Sequence, residues 1–150
     1  MAIPPFDGYG LLPQGCHDAT LAEIEERLCW NDHRCSLWSD FQQFLQVEYY
    51  AQGLSVPLWL DGSFVRDKAM PSDIDVVVDL ESLSDAGIGM AMQMRFRHDE
   101  IKRTYRVDLW ARHPALPTDL VAFFQYVGDK CALEKSIDPK QPKGILRTQP

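Results

Sequence analysis

Asp73 and Asp75, two apart in Asp73-Ile74-Asp75-Val76-Val77-Val78, are the side chains of this sequence best suited to chemistry. The run is rich in β-formers and alternates at its start. In a strand, both carboxylates therefore fall on one face, and Ile74, Val76, Val78 and Leu80 on the other. Two adjacent negative charges are costly unless a cation neutralises them. Hard divalent ions such as Mg²⁺ take oxygen ligands and bind through a few carboxylates plus substrate phosphates. Upstream stands Asp61-Gly62-Ser63, a small-residue turn that closes the apolar run Leu58-Trp59-Leu60. Gly62 lets a ligand approach the backbone closely, and Ser63 adds a hydroxyl. A strand, such a turn and a second strand with paired acids describe a site for a nucleoside triphosphate and its metal ions. Arg66 and Lys68, in the loop between, are placed to reach phosphates; loop solvation accounts for them equally well.

The joint pattern of apolar strand, Gly62-Ser63, a gap, and Asp73-Ile74-Asp75 resembles the nucleotidyltransferase superfamily of DNA polymerase β type. The likeness covers roughly a third of the chain. It implies a third carboxylate on a neighbouring strand, for which Tyr105-Arg106-Val107-Asp108-Leu109-Trp110 offers Asp108. It further implies transfer of a nucleoside monophosphate from a triphosphate to an acceptor, with release of pyrophosphate. In that scheme Asp73 and Asp75 bridge two ions, Mg²⁺ or Mn²⁺, and Asp108 completes the nucleophile-side site. Gly62 and Ser63 hold the β- and γ-phosphates. Leu11-Leu12-Pro13-Gln14-Gly15-Cys16-His17 and Pro142-Lys143-Gly144-Ile145 are similar to stretches of small bacterial and phage nucleotidyltransferase-like proteins. Compact members of the superfamily include toxins of toxin–antitoxin pairs, so the resemblance extends to an antitoxin protein as partner. The acceptor stays open between a protein side chain, RNA and a small molecule.

Three other readings stand beside this one. The fold can persist without catalysis, as a nucleotide-binding or protein-interaction module. The carboxylates can bind a metal ion without any transfer. Or Asp73-Ile74-Asp75 merely ends a strand at the surface, and Gly62-Ser63 is an ordinary turn. A Gly-x-Ser-x-Gly elbow and a Walker-type phosphate loop are both missing from the sequence, which argues against serine-hydrolase and P-loop chemistry.

The elements that must position these residues make one domain over 1–150: an extended arm at 1–19, the core at 56–112 and a basic tail at 128–150. The expected class is α+β, a small mixed β-sheet with helices packed on one side. Pro4, Pro5, Gly8, Gly10, Pro13 and Gly15 keep the arm from helix, and Ile3, Phe6, Tyr9, Leu11 and Leu12 anchor it. Thr20-Leu21-Ala22-Glu23 is a capping box that opens a helix to about Cys29. Asn31-Asp32 caps a longer helix to about Gln52, with Gly53 as its stop and Leu37, Phe41, Phe44 and Leu45 as its apolar stripe. Glu81–His98 is ambiguous: Ser84-Asp85 can cap a helix, yet Met90, Met92 and Met94 alternate as in a strand. Arg95, Arg97, His98, Lys102, Arg103 and Arg106 form a basic belt ahead of the third strand, on which Arg106, Asp108 and Trp110 are expected to share a face. Leu120–Val127 reads as a short helix ended by Gly128, followed by a loop and a final strand over Gly144–Arg147.

Composition fits a globular chain, with 45% hydrophobic and 25% charged residues. No apolar run reaches membrane-spanning length and the start lacks a signal pattern, so a cytoplasmic location is expected. The net charge of −7 argues against general coating of nucleic acid. That charge is uneven: residues 1–100 hold 17 acidic and 6 basic side chains, residues 101–150 hold 5 and 9. Cys29, His33 and Cys35 lie close together, but their spacing matches no common zinc module, and reduced thiols are the preferred reading.

Overall fold

Alternating apolar residues on three central strands demand a cover for one face of a sheet, and the amphipathic helices supply it. The computed structural model describes residues 3–150, and the first two residues of the expected arm, Met1 and Ala2, lie outside them. Five strands form one mixed sheet: β1 (Gly15–Asp18), β2 (Leu58–Asp61), β3 (Ile74–Asp79), β4 (Val107–Arg112) and β5 (Gly144–Thr148). Their spatial order is β1-β5-β2-β3-β4. β1 runs parallel to β5, β2 lies antiparallel to both β5 and β3, and β3 runs parallel to β4.

Four helices pack on one face: α1 (Leu21–Leu28), α2 (Asp32–Phe44), α3 (Asp85–Phe96) and α4 (His98–Tyr105). Leu58, Leu60, Ile74, Val76, Val78, Val107, Leu109 and Leu146 meet Ile24, Leu28, Leu37, Trp38, Phe41, Phe44, Met94 and Ile101 in a single buried core. Each large apolar side chain fully withdrawn there contributes about 1.5–3 kcal/mol. The helix starts follow local chemistry. Thr20 Oγ1 accepts from the Glu23 N–H at 3.1 Å while Glu23 Oε2 accepts from the Thr20 N–H at 2.8 Å. Asn31 Oδ1 accepts from the Arg34 N–H at 2.8 Å. Beyond α2 the chain winds on through a wider turn, Leu45–Tyr49, and a tighter one, Tyr50–Gln52, until Gly53 at φ 72° stops it. Ser84 caps α3, which settles the ambiguous stretch as helix.

Several expectations need correction. The arm is not merely extended: its end is β1, whose Gly15, Cys16 and His17 are register partners of Gly144, Ile145 and Leu146. The two outlying stretches singled out from the sequence thus meet as one strand pair. The tail is not a loop with an appended strand. It contains α6 (Asp129–Lys135), and β5 lies inside the sheet between β1 and β2. Gly128, at φ 77°, precedes α6 as its cap and does not end the helix before it; that helix, α5, covers only Leu120–Phe123. α5 also departs from the one-sided arrangement. Leu120, Val121 and Phe124 pack with Trp110 on the small cluster of Trp59, Val77 and Ile145, which lies on the opposite face of the sheet. Arg106 is not on the third strand. It ends α4 at φ 53° and turns to α2, where it reaches Asp40 at 2.7 Å and Ser36 at 2.8 Å.

Candidate functional site

The face opposite the main core carries the acids. β2, β3 and β4 place Asp61 opposite Asp75, and Asp75 opposite Asp108, so three carboxylates stand in one row across three strands. Directly paired residues point to the same side of a sheet. Asp73, just ahead of β3, joins them in the lining of a cavity of about 660 Å³. Gly62, Ser63, Arg66 and Lys68 line the same cavity, so every candidate site residue borders one space. Asp79, on the same face of β3 but at its far end, pairs instead with Arg112 at 3.2 Å.

Charge is unevenly matched inside the row. Asp61 is buried and accepts the ammonium of Lys143, itself buried at the entry to β5. Burial pushes the Asp61 carboxyl up, and Lys143 and the Gly62 N–H pull it back. Lys102 of α4 places its Nζ 3.4 Å from Asp73 and 3.4 Å from Asp108. Burial works against that ammonium, but Asp108 and Asp73 hold it above the usual lysine range. Asp75 lies between these two cations. Burial first, then the charges of Asp73, Asp61 and Asp108, push its carboxyl up to about 7, with the Trp110 indole N–H acting in the opposite direction. Gly62 explains how Asp75 fits: at φ 78°, a Cβ on residue 62 would lie 1.8 Å from Asp75 Oδ2. Only glycine suits both the backbone angle and the contact.

An all-oxygen set of this kind suits a hard divalent ion by donor chemistry. Its geometry is not that of a finished metal cage. Among the described residues, no three carboxylate, imidazole or thiol groups stand together as metal ligands. The Lys102 ammonium lies between Asp73 and Asp108, and those two oxygens are no further apart than twice their distance to it.

Another part of the cavity wall is basic and aromatic. Arg66, Lys68, Lys130 and Lys140 line it with Phe123, Phe124 and Tyr126. Phe123 and Tyr126 are largely exposed, while Arg66 is buried and bonds Glu134 of α6 at 2.8 Å. The loop that carries Arg66 and Lys68 is clamped from beneath by Arg34. That buried guanidinium donates to the carbonyls of Leu28, Phe64 and Lys68 and stacks on Trp30, 3.6 Å from the ring centre. Nearby, His33 Nε2 bonds the Pro71 carbonyl and Cys29 is pushed up to about 12, chiefly by burial. His33 thus holds the same loop, while Cys29 packs against the main core.

Sequence reasoning passed over Asp61, Lys143 and the aromatic wall, and placed Lys102 only in a general belt. Asp61 is legible in the sequence, because it shares strand parity with Trp59 and ends the apolar run Leu58-Trp59-Leu60. Lys143 and Lys102 meet their partners only through tertiary packing.

Fold and site together define an α+β domain with an acidic row and a basic and aromatic wall around one cavity. By sequence the chain belongs to the family of unknown function DUF6932, whose family model matches residues 4–149. No curated protein and no solved structure matches it.

Proposed function

We propose that this protein is a metal-dependent nucleotidyltransferase, moving a nucleoside monophosphate from a triphosphate to a protein, RNA or small-molecule acceptor. The observation that carries the reading is the pairing of Asp75 with Asp108 across β3 and β4, with Asp73, Gly62 and Ser63 lining the same cavity. Asp73, Asp75 and Asp108 would hold Mg²⁺ or Mn²⁺ once Lys102 withdraws. Bound there, such ions would offset the charge of the phosphates and favour an attacking oxyanion. Asp108 would take the acceptor's proton. Ser63, Arg66 and Lys68 would orient the outer phosphates. Gly62 contributes the space in which the Asp75 carboxylate lies. Phe123 and Tyr126 present exposed rings on which a base can stack.

Lys102 favours a second reading, a nucleotide-binding or protein-interaction module of the same fold without catalysis. A lysine bridging two of the three acids already satisfies them. The described residues contain no helix long and apolar enough to cross a membrane. A cytoplasmic location, with its supply of triphosphates, fits both readings. A toxin-type role with a protein antitoxin belongs to the first.

Calorimetric titration of the protein with each nucleoside triphosphate and Mg²⁺ tests the proposal. Binding is expected in the wild type and lost in the Asp73→Asn/Asp75→Asn variant. Equal affinity in both forms would reject the assignment.

A further inference from the structure

A cavity lined by five carboxylates and several basic side chains has an electrostatic problem of its own. Opposite charges on flexible stems collapse onto one another, and a collapsed cavity attracts neither cation nor anion. The structure shows such pairing twice, in Lys143 with Asp61 and in Lys102 with Asp73 and Asp108. Arg66 and Lys68 line the same cavity yet touch none of these acids. Both are drawn to Glu134, at 2.8 and 3.4 Å, which stands on α6 outside the cavity lining.

The complementarity continues along the segment. Arg66-Asp67-Lys68 faces Glu134-Lys135: Glu134 takes the two cations, and Lys135 takes Asp67 at 2.7 Å. The loop is seated by backbone as well, since the Asp67 N–H donates to Gly10 O at 2.9 Å. What the backbone leaves undecided is where two long basic side chains point. The Arg66 side chain is 10% exposed, so its direction is governed by the acids within reach.

From this we infer that Glu134 is a positioning residue, which keeps Arg66 and Lys68 off the acidic row and available as a site for phosphate oxygens. This rests on the proposed role of those two side chains as phosphate ligands. Without the Glu134 charge, Arg66 and Lys68 turn inward to neutralise the row, and the cavity loses affinity for anions although its positive charge is unchanged. A carboxylate that merely competed with phosphate would act in the opposite sense, because its removal would tighten anion binding. The sign of the effect separates the two.

The test is calorimetric titration with inorganic pyrophosphate, without metal, of the wild type and three variants. Glu134→Gln is expected to bind about five-fold more weakly than wild type, the upper end for a partly exposed ion pair, with its thermal midpoint unchanged. Glu26→Gln removes the same charge from an exposed position on α1 and is expected to bind as wild type does. Lys135→Met breaks the neighbouring strap without freeing the two cations, and is also expected to bind normally. Tighter or unaltered binding in Glu134→Gln overturns the inference and leaves the phosphate site standing. Equal weakening in Lys135→Met assigns the effect to seating of α6, and equal weakening in Glu26→Gln assigns it to net charge; each overturns the inference. No pyrophosphate binding by the wild type removes the phosphate-site reading and the inference with it.

Discussion

Asp75→Asn should stabilise the protein at alkaline pH while destroying the proposed site. The carboxyl of Asp75 is pushed up to about 7 by burial and by Asp73, Asp61 and Asp108. In the unfolded chain an aspartate titrates near 3.9, so the gap is about three pH units, or roughly 4 kcal/mol at 1.36 kcal/mol per unit. The sign follows from proton counting. Between about pH 4 and pH 7 the native state holds a proton that the unfolded state has lost, so native stability falls as pH rises through that window. Above about 7 the penalty is complete. Asparagine carries no charge and nearly the same shape, but its amide must be hydrogen-bonded in a half-buried row. A realistic gain is therefore about half, roughly 2 kcal/mol at pH 8 and close to nothing at pH 5. Urea unfolding of both proteins at pH 5, 6, 7 and 8 measures this directly. The difference, variant minus wild type, should climb with pH. A difference that is flat or falls across that range would refute the picture of an under-neutralised acidic row.

Two further substitutions probe the frame of the site. Lys143→Met strands the buried Asp61 charge and should cost about 3–5 kcal/mol in urea unfolding, and adding Asp61→Asn should return more than half of that; a single-variant loss under 1 kcal/mol would show that the pair is not buried as described. Gly62→Ala must place a methyl 1.8 Å from Asp75 Oδ2 at a backbone φ of 78°. It should destabilise by about 1–2 kcal/mol and weaken Mg²⁺-dependent nucleotide binding at least ten-fold; unaltered calorimetric affinity would remove Gly62 from the site.

Local chemistry was legible and long-range partnership was not. Thr20 with Glu23, Asn31 and Gly53 mark helix boundaries through bonds made within a few residues, where the sequence places them, while Ser84 caps a helix in a stretch the sequence leaves open between helix and strand. The period of two in a strand puts Asp75 on the face to which β4 brings Asp108, and Asp73, one residue ahead of β3, lines the same cavity. β1 escaped notice because Gly15–Asp18 has no apolar alternation; it is a strand only because β5 lies beside it. α6 was missed because Gly128 reads as a stop, although glycine serves as readily at a helix entry when φ is positive. The ion pairs that shape the cavity join residues distant in sequence: Lys143 with Asp61, Lys102 with Asp73, and Glu134 with Arg66. Charge and parity alone do not reveal such meetings. Arg106 shows the converse error: strand parity assigned it to the face of Asp108, but the chain leaves α4 in a left-handed turn at that residue and directs it to Asp40.

Nucleotidyl transfer is tested most directly by following the two ends of the triphosphate separately. The protein is incubated with Mg²⁺, a cell lysate and each nucleoside triphosphate, labelled either at the α- or at the γ-phosphate, and the label is sorted between protein, RNA and small molecules. α-Label is expected to enter one acceptor fraction while γ-label leaves as pyrophosphate, and Asp73→Asn/Asp75→Asn is expected to abolish both. Nucleotide that binds without label moving to any fraction, or γ-label appearing in the acceptor, would contradict nucleotidyl transfer.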